Sequence, residues 1–354
     1  MKQEIIDKIN RLASQDEPFL FVINYQGDKA FIRQLSDINP EECLFDFEGR
    51  GNSSDEMKNN SEKIAEISWQ IAPPLYEDYE RSFGIVKNNI MAGNSYLTNL
   101  TCKVPVSCNL SLEDIFHRAK GKYKLLLRRK RNLTPFVCFS PETFVRIKNG
   151  RIYSYPMKGT LDASLPDAEK QLMEDRKEAA EHATIVDLIR NDLSRVAENV
   201  RVDKYRYIDV LHTNKGDILQ TSSEISGRLP EDYQEHLGEI LDAQLPAGSI
   251  TGAPKDKTMQ IIHEAEGYDR GFYTGIMGIY DQGELNSAVM IRFIEEETSP
   301  VDFEADGKKN FKASEGMGDE ASRELYFKAG GGITSKSDCR KEYEEVIQKI
   351  YLPF

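Results

Sequence analysis

Lys158 lies in Pro156-Met157-Lys158-Gly159-Thr160, between a β-like run at 151–155 and a long helical stretch. A lysine at such a junction can be fixed in a cleft. Its amine becomes nucleophilic once desolvation or a neighbouring cation lets it shed its proton near neutral pH. Taken alone, a lysine beside a glycine is a solvated turn residue; its weight here comes from other groups of the same chain. Glu342 and Glu345 stand three residues apart on the last helical stretch and therefore share a face. Paired carboxylates suit a hard divalent cation, and magnesium leaves its other positions to water and substrate oxygens. Without an ion they are an acidic solvent face. Glu181, in Ala180-Glu181-His182-Ala183, is a further carboxylate on a charged helix.

The run Gly248-Ser249-Ile250-Thr251-Gly252-Ala253-Pro254-Lys255 has the look of a phosphate loop, but Ala253-Pro254 stands where such a loop needs glycine directly before lysine. Nucleotide binding is set aside there. Glycines ahead of a proline-initiated helix still offer free N–H groups and a helix dipole to a carboxylate. Gly330-Gly331-Gly332 allows the same close backbone approach, or forms a plain flexible turn. Arg292, in Met290-Ile291-Arg292-Phe293, falls in an apolar run, where a buried guanidinium requires an anion from a structural acid or a ligand. The five histidines have no metal-ligand spacing, and neither Gly-x-Ser-x-Gly nor Gly-x-Cys-x-Gly occurs. Zinc, serine-hydrolase and glutaminase chemistry lose support.

The elements that must position these groups alternate without repeats. Residues 1–75 mix a short helix pattern with β-like runs at 19–24 and 29–35, and 49–60 reads as a polar loop. Phe83, Val86, Ile90 and Met91 give helical spacing over 78–92. Strand patterns follow at 96–106 and 135–155, with Ser111-Leu112-Glu113-Asp114 as a capping box between them. A helix over 168–196 is long enough to invite a break. Strands at 205–211 and 218–229, a helix at 233–244 and a helix at 255–265 behind Pro254 come next. A hairpin over 273–280 and 284–295 turns at Asp281-Gln282-Gly283, the acidic 299–324 segment reads as an excursion within that sheet, and the last helix covers 338–351.

Bulk properties limit the partners. The 354 residues suffice for a large α+β unit, and a hydrophobic fraction of 39% with 30% charged residues describes a globular chain. A net charge of -13 opposes non-specific binding to nucleic acid or an acidic membrane, because both depend on a positive field. An anionic ligand must be gripped locally. Five scattered cysteines without a C-x-x-C pair, no membrane-length apolar run and an acid-interrupted N-terminus lead to a cytoplasmic expectation.

Together these motifs resemble the chorismate-utilising enzymes, a family that includes anthranilate, aminodeoxychorismate, isochorismate and salicylate synthases; the match spans 78–351. The resemblance implies an α+β fold of large antiparallel sheets packed as a sandwich with outer helices. It also implies an N-terminal β-rich region (1–75) packed on a chorismate-binding catalytic domain (76–354), the two forming one compact unit. It makes Glu181 and Glu345 magnesium ligands, with Glu342 beside them, and places Gly159, Thr160, Ser249 and Thr251 around the ring carboxylate of chorismate. Tyr273, Arg292, Gly330 and Gly332 match positions that hold the enolpyruvyl carboxylate, and Gly275 and Gln220 are further substrate-binding candidates.

Lysine at position 158 resembles the nucleophile of aminodeoxychorismate synthases, an uncharged amine that adds to ring carbon 2, and Glu142 matches the acid that protonates the departing hydroxyl. Leu97 occupies the position where isochorismate and salicylate synthases carry a water-activating lysine, so those activities are disfavoured. Gln220 replaces a family histidine and cannot shuttle a proton near neutral pH. The implied activity is that of aminodeoxychorismate synthase component I, with ammonia from a separate glutamine amidotransferase subunit. The rivals are anthranilate synthase component I and a non-catalytic chorismate-binding subunit.

Overall fold

The structure, a computed structural model, describes residues 1–53, 66–128, 133–213, 216–298 and 323–354. In chain order the helices are α1 (Gln3–Ser14), α2 (Tyr76–Met91), α3 (Leu112–Arg118), α4 (Ala168–Glu174), α5 (Arg176–Leu193), α6 (Leu237–Gln244), α7 (Lys255–Glu266) and α8 (Cys339–Gln348). The strands are β1 (Phe19–Ile23), β2 (Ala30–Gln34), β3 (Cys43–Phe47), β4 (Arg50–Gly51), β5 (Trp69–Ile71), β6 (Leu97–Cys108), β7 (Tyr123–Leu127), β8 (Phe136–Ser140), β9 (Thr143–Lys148), β10 (Arg151–Ser154), β11 (Met157–Asp162), β12 (Glu198–Thr213), β13 (Gly216–Arg228), β14 (Gly252–Ala253), β15 (Ile276–Asp281), β16 (Glu284–Val289), β17 (Phe293–Thr298) and β18 (Arg323–Ile333).

They form two antiparallel sheets. The first runs β11-β13-β10-β9-β16-β15-β1-β2, with β12 on the outside of β13; the second runs β14-β6-β18-β17-β8-β7-β3-β4, with β5 on β6. Alternation along β1 explains the layering. Leu20 and Val22 point into the core shared with Phe136, Met277 and Phe293 of the two sheets. Phe19, Phe21 and Ile23 point the other way, against Ile5 and Ile9 of α1, Val186 of α5 and Ile240 of α6. On the outer face of the second sheet, Phe83 of α2, Phe116 of α3, Ile261 of α7 and Val346 of α8 close a third core. Each fully buried aromatic or aliphatic side chain contributes roughly 1.5–3 kcal/mol. This is the expected sandwich with outer helices, and the strands of residues 1–75 are members of both sheets.

Ser111 caps α3 as read from sequence, accepting from the Asp114 N–H while Asp114 returns to the Ser111 N–H. The long helical stretch does break, at Asp175, whose side chain accepts from the Glu178 N–H and starts α5. Two expectations need correction. The hairpin strand that begins at Glu284 ends at Val289, and residues 290–292 cross to the second sheet with Arg292 in a left-handed conformation, φ 55°. The chain also forms β7, which the sequence reading passes over. The 299–322 part of the acidic excursion and the 54–60 part of the polar loop lie outside the described residues.

Candidate active site

Lys158 sits on β11 where the register against β13 shifts between Met157 and Thr160. Gly159 has φ +83°, and a Cβ there would stand 3.0 Å from a Glu178 carboxylate oxygen, so glycine lets β11 lie close against α5. The Thr221 hydroxyl donates to the Lys158 carbonyl and fixes the strand. From that position the Lys158 amine meets Glu181 Oε2 at 2.9 Å. His182, the next residue on α5, is fully buried, with Nε2 2.7 Å from Ser223 Oγ of β13. Its pKa falls to about 4, through burial and then the Arg206 charge. This neutral contact locks the helix face that carries Glu178 and Glu181.

Facing them is α8. Glu342 and Glu345 project from a helix packed on the second sheet, whereas Glu178 and Glu181 come from one packed on the first. Burial raises the Glu342 pKa, with Glu345 adding and Lys158 opposing. Burial also raises Glu178, here opposed by Lys158 and reinforced by Glu181. Glu345 is lowered: burial works against ionisation, but Lys349 2.8 Å away outweighs it.

Lys158 rests among carboxylates. Burial lowers its pKa, but the hydrogen bond and charge of Glu181, then the charges of Glu178 and Glu345, outweigh burial and raise it. The amine lies in an ion pair, 2.9 Å from Glu181 Oε2, in this structure.

Glu142 follows β8 on the other side of Lys349. Burial raises its pKa, offset in part by a hydrogen bond from Ser249 Oγ (2.7 Å) and the charges of Arg292 and Lys349. A small cavity lined by Glu142, Ser154, Tyr155, Asp192, Gln244 and Ser249 adjoins this acid. Lys349 donates to the Gly330 carbonyl at 2.9 Å, and Arg292 lies over the Tyr351 ring at 5.3 Å. Two cations thus flank one protonatable acid, an arrangement suited to a dianionic ligand.

The remaining candidates divide. Gly332 opposes Asn99 in the β18–β6 register, and Leu97 packs with Leu188 and Ala253 close to it. Gly330 and Gly275 hold the backbone together: a Cβ would come 2.5 Å from Thr101 Cγ2 at the first and 2.1 Å from the Ile23 carbonyl at the second. Thr251 is fully buried with its hydroxyl beside the Tyr25 phenol, and Tyr273 is packed in the inter-sheet core. Gln220 is half-buried on β13 opposite exposed Thr160. Sequence reasoning missed Glu178 and Lys349, yet each lies one turn or less from an assigned glutamate, Glu181 and Glu345, and helical spacing was signal enough.

For magnesium, the donor types fit. All four groups are carboxylates, and their mutual repulsion, visible in the raised Glu342, is the charge excess that a divalent cation neutralises. Among the described residues, however, no three potential ligands are drawn together tightly enough to form a closed cluster, since Lys158 stands between them.

The sequence profile of the chorismate binding enzyme family matches residues 19–307, and the chain belongs to that family. It is 46% identical over 99% of its length to an uncharacterized PabA-like protein of Haemophilus influenzae, covering 97% of that protein. It is 30% identical over 77% of its length to aminodeoxychorismate synthase component 1 of Salmonella typhimurium, and 32% identical over 77% to anthranilate synthase component 1 of Pseudomonas aeruginosa. The chain covers 56% and 51% of those two relatives, about half of each. In fold it is similar to anthranilate synthase component I of Streptococcus pneumoniae, with a TM-score of 0.62 at 24% identity, covering 81% of this chain and 59% of that one. Among the described residues no helix is long and apolar enough to cross a membrane.

Proposed function

We propose that the protein is an aminodeoxychorismate synthase, converting chorismate and ammonia to 4-amino-4-deoxychorismate and water. The observation that supports this reading is the position of Lys158: its amine is aimed between α5 and α8, 2.9 Å from Glu181. Lys158 adds to ring carbon 2 as the bond from carbon 4 to its hydroxyl breaks, and Glu142 gives that hydroxyl a proton so that it leaves as water. Ammonia then bonds to carbon 4 while the bond to Lys158 breaks, returning the amine. Before attack the paired amine must shed its proton, which becomes easier if Glu181 is engaged by magnesium and no longer pairs with the amine. Arg292 and Lys349 orient the substrate carboxylates, and Ser249 keeps the Glu142 carboxyl turned into the site. Magnesium held by Glu181, Glu345 and Glu342 would neutralise the ring carboxylate. Ammonia from a glutamine amidotransferase subunit, and a role in p-aminobenzoate and folate synthesis within the cytoplasm, belong to the same proposal.

The second reading is anthranilate synthase component I, favoured by the comparable identity to that enzyme. Incubation with chorismate, magnesium and ammonium separates the two. Formation of p-aminobenzoate only after an aminodeoxychorismate lyase is added supports the proposal; fluorescent anthranilate without lyase rejects it.

A further inference from the structure

We propose that Arg270, outside every motif assigned above, is the positioning residue that sets the spacing of the chorismate site. This inference rests on the functional reading just given only for its kinetic test. Arg270 follows α7 and is 2% exposed, yet all five of its N–H donors are used. Nε and one Nη2 proton go to the two carboxylate oxygens of Glu266, at 2.8 and 2.6 Å. The other three reach the Asn99 carbonyl (2.7 Å), the Ile250 carbonyl (3.0 Å) and the Thr274 hydroxyl (3.3 Å). The guanidinium is covered by the Tyr25 ring at 4.7 Å.

Each of these three acceptors is next to a substrate-side candidate. Ile250 lies between Ser249 and Thr251, Thr274 lies between Tyr273 and Gly275, and Asn99 pairs with Gly332. Asn99 also donates its N–H to the Thr251 carbonyl at 2.8 Å. Glu266 continues the brace, accepting from the Thr101 N–H and hydroxyl, and Thr101 pairs with Gly330. One planar group therefore fixes the separation of three segments that carry the substrate-side candidates. A rigid fork is needed because only a planar cation reaches three directions while remaining paired with its carboxylate.

Arg270→Lys is the discriminating variant. It keeps a charge for Glu266, which averts a buried unpaired carboxylate, but its three donors leave at least two of the five acceptor positions unserved. Chorismate affinity is measured by calorimetry in magnesium, beside steady-state kinetics in the lyase-coupled assay. Phe116→Leu, a core change beneath α3 away from the site, controls for lowered stability. The expected result is folded Arg270→Lys with chorismate binding weakened about tenfold or more and kcat/KM reduced at least as far, while Phe116→Leu loses thermal stability with its affinity unchanged. Arg270→Lys that folds and binds chorismate as the wild type does overturns the inference. Because binding is read independently of product, a wild type that makes anthranilate or nothing removes the functional reading and leaves this test standing.

Discussion

Lys158 and Arg270 are the cations at the centres of two polar regions, and the molecule holds them on different terms. Lys158 is about one-third exposed, has a single hydrogen-bonded carboxylate, and stands among four glutamates from helices on opposite sides of the sandwich. Arg270 is sealed, with every donor satisfied and a carboxylate that is itself fully engaged. The first region can exchange partners when a ligand arrives; the second cannot without leaving buried polar groups unpaired. Chemistry that moves protons and breaks bonds belongs in the adjustable region, and shape belongs in the fixed one.

The largest effect that would sharpen this contrast is at Lys158. Lys158→Ala removes the nucleophile but no core packing, so p-aminobenzoate output in the lyase-coupled assay is expected to fall about a thousandfold or more with thermal stability retained. Comparable turnover by the variant would take the lysine out of the mechanism. Glu142→Gln comes next, with an expected loss of about a hundredfold in kcat. Since burial raises the Glu142 pKa, the wild-type rate should decline as pH rises through that raised value, where the acid loses its proton. The variant's residual rate should lack this limb.

The same shift has a stability consequence of definite sign. A carboxyl whose folded-state pKa is raised stabilises the fold below its unfolded-chain pKa, and that contribution is lost as pH rises through the folded value. Glu142→Gln should therefore melt at a higher temperature than wild type on the alkaline side, a difference that shrinks at acid pH. The smallest effect is expected at α8. Glu345→Gln should raise the magnesium concentration for half-maximal rate by about tenfold, with little change in melting temperature because the side chain is exposed.

Much of the adjustable region is legible in sequence, because its parts sit on contiguous motifs with helical or turn signatures: Gly159 after Lys158, His182 after Glu181, and Glu342 three before Glu345. The Lys158–Glu181 ion pair is not legible, since Glu181 reaches Lys158 only when α5 folds back on β11. Arg292 reads as a strand residue because its neighbours are apolar, whereas the fold uses it at the crossover between sheets. Thr251 and Gly275 sit in recognisable motifs, yet the fold turns the first toward Tyr25 and uses the second to admit the Ile23 carbonyl. Arg270 leaves little local signal beyond Glu266 and Thr274, each four residues away: its acceptors at positions 99 and 250 reach it only after the chain has folded.

The central claim is that the Lys158 amine bonds to the substrate ring, and it is tested most directly by withholding ammonia. Wild-type protein is incubated with chorismate and magnesium, quenched in acid, and examined by intact-mass and peptide-mapping mass spectrometry. The account expects a gain of one chorismate less one water, confined to the peptide that contains Lys158 and reversed by ammonium. An unmodified Lys158 in protein that turns over chorismate once ammonium is supplied would contradict it.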